Sequence, residues 1–198
     1  MDEPRSPPSE EAELQDLRDR VERLIAALDA ARAQAAQLEA LAHEDALTGI
    51  LNRRGFLRDL TRALAYGSRY NAPAGLLICD LDAFKLINDR YGHPVGDRAL
   101  RHAADLLRAH IRTSDSVGRL GGDEFALVIW QVDTAQAEHK ARAIEALIAA
   151  EPLALDRDSL RLGASVGFTL LRADDGPDDA LARADRAMYA RKAERGAR

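Results

Sequence analysis

Four carboxylates in two short strings are the first candidates for chemistry. The string ICDLDAFK places Asp80 and Asp82 where an apolar run ends, and RLGGDEFALVIW places Asp123 and Glu124 directly after Gly121 and Gly122. In an extended chain, residues two apart face the same side and neighbours face opposite sides. Asp80 and Asp82 therefore share a side, and only one of Asp123 and Glu124 can face a given ligand directly. Consecutive glycines between two strand-like segments permit a tight turn with positive φ and let a ligand approach bare backbone. Read alone, GGDE is equally a charged hairpin tip. A carboxylate pair at a neighbouring strand end changes the reading. Hard oxygens placed opposite one another suit Mg²⁺, which completes its shell with phosphates and water. The turn after Asp82 opens toward a helix whose leading N–H groups can receive phosphate, and Lys85 adds a cation. Together these residues point to phosphoryl transfer on a nucleoside triphosphate.

The elements that must position these residues follow from the apolar pattern. A helix is expected from about Asn52 to Arg69, with Phe56, Leu57, Leu60, Leu64 and Tyr70 inward. Residues 74–79 form a short continuous apolar run and read as a buried strand. A second helix is expected from Pro94 to about Arg112, a strand from Glu124 to Trp130 and a helix from Asp133 to about Ala150. A strand from Leu162 to Leu171 and a helix from Asp178 to about Arg195 complete the series. Helices interleaved with strands around a glycine hairpin predict an α/β fold with helices flanking a largely antiparallel central sheet.

Ahead of these elements, Leu14, Leu17, Val21, Leu24, Leu28, Ala31, Ala35, Leu38 and Ala42 recur at alternating steps of three and four. The flanking positions are mostly charged or small. An unbroken heptad seam predicts a parallel two-helix coiled coil over residues 11–42, in preference to one amphipathic helix packed on its own domain. Residues 1–10 carry three prolines and many charges and are expected to be disordered. Residues 43–198 form the globular domain.

Composition narrows the function classes. The formal net charge of −5 excludes a general basic field for nucleic acid, although a local cluster of donors can still hold a phosphate ligand. One cysteine, Cys79, excludes an intrachain disulfide and fits a reducing compartment; within its apolar run it reads as a small core residue. No apolar stretch approaches the roughly 20 residues of a membrane span, and the polar start is unlike a signal peptide, so a cytoplasmic protein is expected. The five histidines show no metal-ligand spacing. Trp130 ends a strand and reads as packing.

The strings DALTGILNRRGF, DLDAFKLINDRYGHPVGD, RTSDSVGRLGGDEF and ADRAMYARK occur in this order between residues 43 and 195. Over that length the chain resembles the GGDEF diguanylate cyclases, whose fold is similar to the palm domain of polymerases and nucleotidyl cyclases. The resemblance implies an enzyme that condenses two GTP into cyclic di-GMP and two pyrophosphates across a homodimer. It implies metal ligation by Asp80 and Asp123, with the Leu81 carbonyl as a further ligand; the metal is Mg²⁺, with Mn²⁺ as a substitute. The backbone at Ala83, Phe84 and Lys85 would hold the β and γ phosphates, with Gly122 also against the substrate. Asn88 and Asp97 would read guanine, whose N1–H and N2–H₂ donors suit a carboxylate acceptor. Glu124 would assist deprotonation of the attacking 3′-hydroxyl, with a structural or metal role as the alternative. Lys192 matches the family's phosphate-contacting lysine. An arginine is usual four residues later, where this chain has Gly196, so Arg195 is the substitute considered. Arg112 and Asp115 match the family's RxxD site, at which cyclic di-GMP would bind as an inhibitor. Rival readings are an inactive domain that binds cyclic di-GMP through Arg112 and Asp115, and a dimerising adaptor without a ligand.

Overall fold

The computed structural model describes residues 10–155 and 158–196, with the side chains of 10–13, 35–37, 39–41 and 194–196 left aside. The expected disorder of the first residues falls outside this range. The chain divides into two units, Met1–Leu41 and Ala42–Arg198.

Helix α1 (Glu10–His43) makes up all the described residues of the first unit and ends two residues into the second. Its large apolar residues Leu14, Leu17, Val21, Leu24, Ile25, Leu28 and Leu38 are all exposed, Leu24 at 69%. A stripe of this length is not covered by the helix's own unit.

The second unit is built on a four-stranded sheet in the order β2-β3-β1-β6, with every pairing antiparallel. Its strands are β1 (Ala74–Leu81), β2 (Ser116–Gly121), β3 (Glu124–Trp130) and β6 (Ala164–Leu170). The helices are α2 (Arg53–Tyr70), α3 (Phe84–Tyr91), α4 (His93–Ala109), α5 (Thr134–Ala150) and α6 (Pro177–Gly196). The period of two sorts β1 between two cores. Leu77, Cys79 and Leu81 join α4 and α5 on one face, while Leu76 and Ile78 join α2 and α6 on the other. Cys79 is fully buried, and burial pushes its thiol up, as expected of a core residue. Among the described residues no helix is long and apolar enough to cross a membrane.

Two expectations need correction, and one element was not foreseen. Tyr70 is 58% exposed rather than inward, because it precedes the left-handed Asn71 that ends α2; its ring lies 4.6 Å from that of Tyr66. The helix expected from Pro94 to Arg112 is preceded by a separate α3, broken from α4 by Gly92 at φ 83°, and α4 ends at Ala109. Arg112 therefore lies in a turn. A short hairpin, β4 (Leu153–Ala154) with β5 (Ser159–Leu160), was not expected, being too brief to show a period.

The start of α2 is fixed by Asn52. Its side chain accepts from Gly55 N at 2.9 Å and donates to the Ala42 and Glu44 carbonyls at 3.2 and 3.1 Å. The start of α6 is fixed by Arg183, which forks onto Asp175 with two bonds of 2.6 Å and also reaches Thr169 Oγ1 and the Leu170 carbonyl. The Asp175 side chain is 5% exposed, and the Arg183 bond holds its carboxyl below the ordinary 3.8. Asp175→Asn removes the carboxylate that forks with Arg183 and is expected to cost about 3 kcal/mol at pH 7. Because the folded-state pKa is depressed, this contribution is present above the ordinary value and lost as pH falls through the folded one. Urea titrations from pH 7 downward should show a large gap between wild type and variant that narrows as Asp175 becomes protonated.

Candidate active site

Strand β1 lifts Asp80 to the edge of the α2–α6 face, directly across from Glu124 on β3. Cross-strand partners share a face, so the two carboxylates lie side by side. Asp123 sits in the turn between β2 and β3. Gly121 has φ 152° and Gly122 φ 53°, and the left-handed value at Gly122 explains why a glycine stands there. The Asp123 carbonyl accepts from Leu81 N at 3.3 Å, fastening the turn to the end of β1. Asp80 is nearly buried, at 9% exposure, and receives Lys192 Nζ from α6 at 2.5 Å. Gly122, Asp123, Glu124, Asp80, Leu81 and Lys192 are thus brought together from three elements distant in sequence.

The electrostatics of this cluster favour a cation. Burial and the Asp80 charge raise the pKa of Asp123, against the lowering effects of its own backbone hydrogen bond, Lys192 and Arg119. Burial, then the charges of Asp80, Asp185 and Asp123, raise that of Glu124. Burial lowers the Lys192 pKa, but the bond to Asp80 and the charges of Asp80, Asp82 and Asp123 outweigh it, for a net rise. Among the described residues, no three acidic, cysteine or histidine side chains form a ready-made metal cage. Mg²⁺ does not require one, since it commonly takes one or two carboxylates and completes its octahedron with phosphate and water. The hard oxygens of Asp80 and Asp123 fit that donor set.

Beyond Leu81 the chain turns through Ala83, a non-glycine residue in the left-handed region at φ 55°. Helix α3 then begins without a side-chain cap, so the leading N–H groups around Phe84 and Lys85 carry no capping acceptor. Asn88 on α3 and Asp97 on α4 are both half-buried. The Asn88 amide rests on Gly96, where an added Cβ would lie 1.9 Å from Asn88 Oδ1. That oxygen is buried and has no hydrogen-bond partner among the described residues. Shape rather than hydrogen bonding places this amide.

Arg112 and Asp115 are not part of this cluster. Asp115 Oδ1 accepts from Trp130 N at 3.1 Å, and Trp130 ends β3 six residues from Glu124, about 20 Å along the strand. Asp115 Oδ2 accepts from Arg112 N at 3.1 Å. Arg112, Asp115, Trp130, His139 and Lys140 line a cavity of about 420 Å³. Trp130 also meets Tyr66 edge to face at 5.4 Å. The Arg195 side chain lies outside the described residues.

The structure adds detail that spacing did not reveal. Asp82, read beside Asp80 as a carboxylate for the cation, accepts from Ser165 Oγ at 2.7 Å and so ties the turn to β6. Arg119 is not singled out by any spacing in the sequence. It donates twice to the Gly122 carbonyl, at 2.9 and 2.7 Å, and pairs with Asp45 at 3.2 Å. It links the glycine turn to a partner 74 positions earlier in the chain, a separation no local pattern can show. Arg53 and Asp185 line a cavity of about 260 Å³ with Glu124.

Comparison with known proteins places this arrangement. Residues 42–198 match the family described as diguanylate cyclase, GGDEF domain. The chain is 36% identical over 162 residues to a diguanylate cyclase of Vibrio cholerae, covering 82% of this chain and 50% of that protein. It is 36% identical over 154 residues to the bifunctional diguanylate cyclase/cyclic di-GMP phosphodiesterase MucR of Pseudomonas aeruginosa, covering 77% of this chain and 22% of MucR. The chain therefore spans half or less of the length of these relatives. The crystal structure of the coiled coil and GGDEF domain of DgcB from Caulobacter crescentus, in complex with c-di-GMP, superposes with a TM-score of 0.78 at 28% identity, covering 96% of this chain and 97% of that one. On its sequence and its fold alike, the chain belongs to the GGDEF diguanylate cyclase domain family.

Proposed function

We propose that the chain is a diguanylate cyclase, converting two GTP into cyclic di-GMP and two pyrophosphates. The observation that carries the reading is the meeting of Asp80, Asp123 and Glu124 beside the uncapped start of α3. Asp80 and Asp123, with the Leu81 carbonyl, hold Mg²⁺ or Mn²⁺, which neutralises charge on the triphosphate when bound. Backbone N–H groups of Ala83, Phe84 and Lys85 receive the β and γ phosphates. Gly122 lets the substrate approach the turn, and Lys192 adds positive charge, with Arg195 as a further cation from the same helix. Asp97 and Asn88 face the guanine edge; a site built on such hydrogen bonds rejects adenine because its polar groups would be left unpaired. Glu124 takes the proton of the 3′-hydroxyl, a task that suits a carboxylate of raised pKa.

In each half-reaction the 3′-oxygen of one GTP attacks the α-phosphorus of the other. A new P–O bond forms as the bond to pyrophosphate breaks. One domain holds one GTP, so two must face each other. The exposed stripe of α1 supports pairing with a second copy through a coiled coil, which raises the effective concentration of one domain for the other. Removing divalent metal with EDTA should abolish formation of cyclic di-GMP, and Mg²⁺ or Mn²⁺ should restore it. Failure of either metal to support product would count against the reading.

Feedback belongs to the same proposal. Cyclic di-GMP binds at Arg112 and Asp115, about a strand's length from the carboxylates, and inhibits without competing with GTP. Arginine supplies a planar, permanently charged donor for this. Trp130 is the chain's single tryptophan and lines the cavity beside Arg112. Its fluorescence should change saturably on titration with cyclic di-GMP. Arg112→Ala should remove that response and relieve inhibition while turnover persists. Inhibition equal to wild type in this variant would refute the site.

A further inference from the structure

We propose that Arg191 and Glu145 form a positioning strap that holds Lys192 against the active-site carboxylates; this rests on the diguanylate cyclase reading. Strand β6 is an edge of the sheet, so part of its backbone has no neighbouring strand to bond. At Val166 two side chains take the place of that strand. Glu145 Oε1, from α5, accepts from Val166 N at 2.9 Å, and Arg191 Nη1, from α6, donates to the Val166 carbonyl at 3.3 Å. Arg191 also lies 3.5 Å from Glu145 and, through Nη2, 3.7 Å from Glu138. Glu145 is a buried carboxylate, with its side chain 8% exposed.

The strap crosses the molecule. Helix α5 packs on one face of the sheet and α6 on the other. Arg191 therefore reaches round the open edge of β6 to join the two faces. Its place in the helix gives this a purpose. Ala180, Ala184 and Met188 form the buried stripe of α6, at steps of four. Lys192 is the next position on that stripe, where apolar contact gives way to the bond with Asp80. The last inward turn of α6 is thus anchored by two polar residues, Arg191 at the sheet edge and Lys192 at the carboxylates. Arg191 is bonded to Val166, Glu145 and Glu138 rather than to the carboxylate cluster; it acts through its neighbour. A long flexible lysine gains precision when the backbone beneath it is fixed.

The test is a double-mutant cycle read on GTP. Arg191→Met keeps the aliphatic stem and removes the polar contacts. It is expected to raise the KM for GTP about tenfold with kcat changed by less than about threefold. Lys192→Ala should raise KM as much or more. In the Lys192→Ala background, Arg191→Met should then add almost nothing, because both changes remove one effect. Glu145→Gln keeps the shape and an acceptor for Val166 N but loses the charge facing Arg191. It should show a smaller rise in KM with the same non-additivity, and it serves if Arg191→Met folds poorly. Ile148→Val, a buried α5 change away from the strap, controls for lost stability and should leave KM unchanged. Full additivity of Arg191→Met and Glu145→Gln with Lys192→Ala, or an unchanged KM in both single variants, would overturn the strap. Absence of cyclic di-GMP with the wild-type protein would instead defeat the underlying functional reading.

Discussion

Asp123→Asn is expected to lower kcat about a thousandfold or more without unfolding the protein. The amide is a poor ligand for a hard cation, whereas the carboxylate can share one with Asp80. The fold should survive for a local reason. Asp123 holds the end of β1 through its backbone carbonyl, which the substitution leaves in place. Burial and the Asp80 charge disfavour the ionised form of its side chain, against the pull of its own backbone hydrogen bond, Lys192 and Arg119. Removing one negative charge relieves that repulsion, so the melting temperature should stay level or rise. Turnover of GTP measured beside a thermal melt checks both halves. A variant with near-normal kcat would remove Asp123 from the metal site. A variant that loses activity by unfolding would show the turn to be structural.

Leu24→Asp should have the second largest effect, and one that depends on protein concentration. Leu24 lies midway along the exposed stripe of α1. A charge there opposes burial against a second helix. Tethering can strengthen a weak encounter by about 10²- to 10⁴-fold in avidity. Activity at nanomolar protein is therefore expected to fall about a hundredfold, with partial recovery at tens of micromolar. Wild-type specific activity should be nearly flat over the same range. Full activity of Leu24→Asp at nanomolar protein would show that something other than α1 pairs the domains.

The carboxylates were legible in the sequence because two apolar runs end on them, and strand ends at apolar boundaries can be read locally. Strands β1 and β3 lie where continuous apolar runs and the turn glycines put them, but the glycine hairpin pairs β3 only with β2. The antiparallel pairing that sets Asp80 beside Glu124 joins β1 to β3 across α3, α4 and β2, and local sequence does not give it. The missed features share one physical character. Arg119 with Asp45, Arg183 with Asp175 and Arg191 with Glu145 are pairs fixed by tertiary packing. In an arginine-rich chain no spacing rule distinguishes them from solvated charges. Helix α3 escaped notice because eight residues hold barely two turns, too few to establish a period. Tyr70, expected inward, is the last residue of α2, directly before Asn71 turns the chain, where an inward position is no longer enforced.

The central claim is met most directly by incubating micromolar protein with GTP and Mg²⁺ and resolving nucleotides and pyrophosphate by chromatography and mass. Cyclic di-GMP and pyrophosphate are expected in a ratio of one to two, with no comparable product from ATP. Binding of cyclic di-GMP without any conversion of GTP, at every protein concentration and with either Mg²⁺ or Mn²⁺, would contradict it and leave a domain that only receives the messenger.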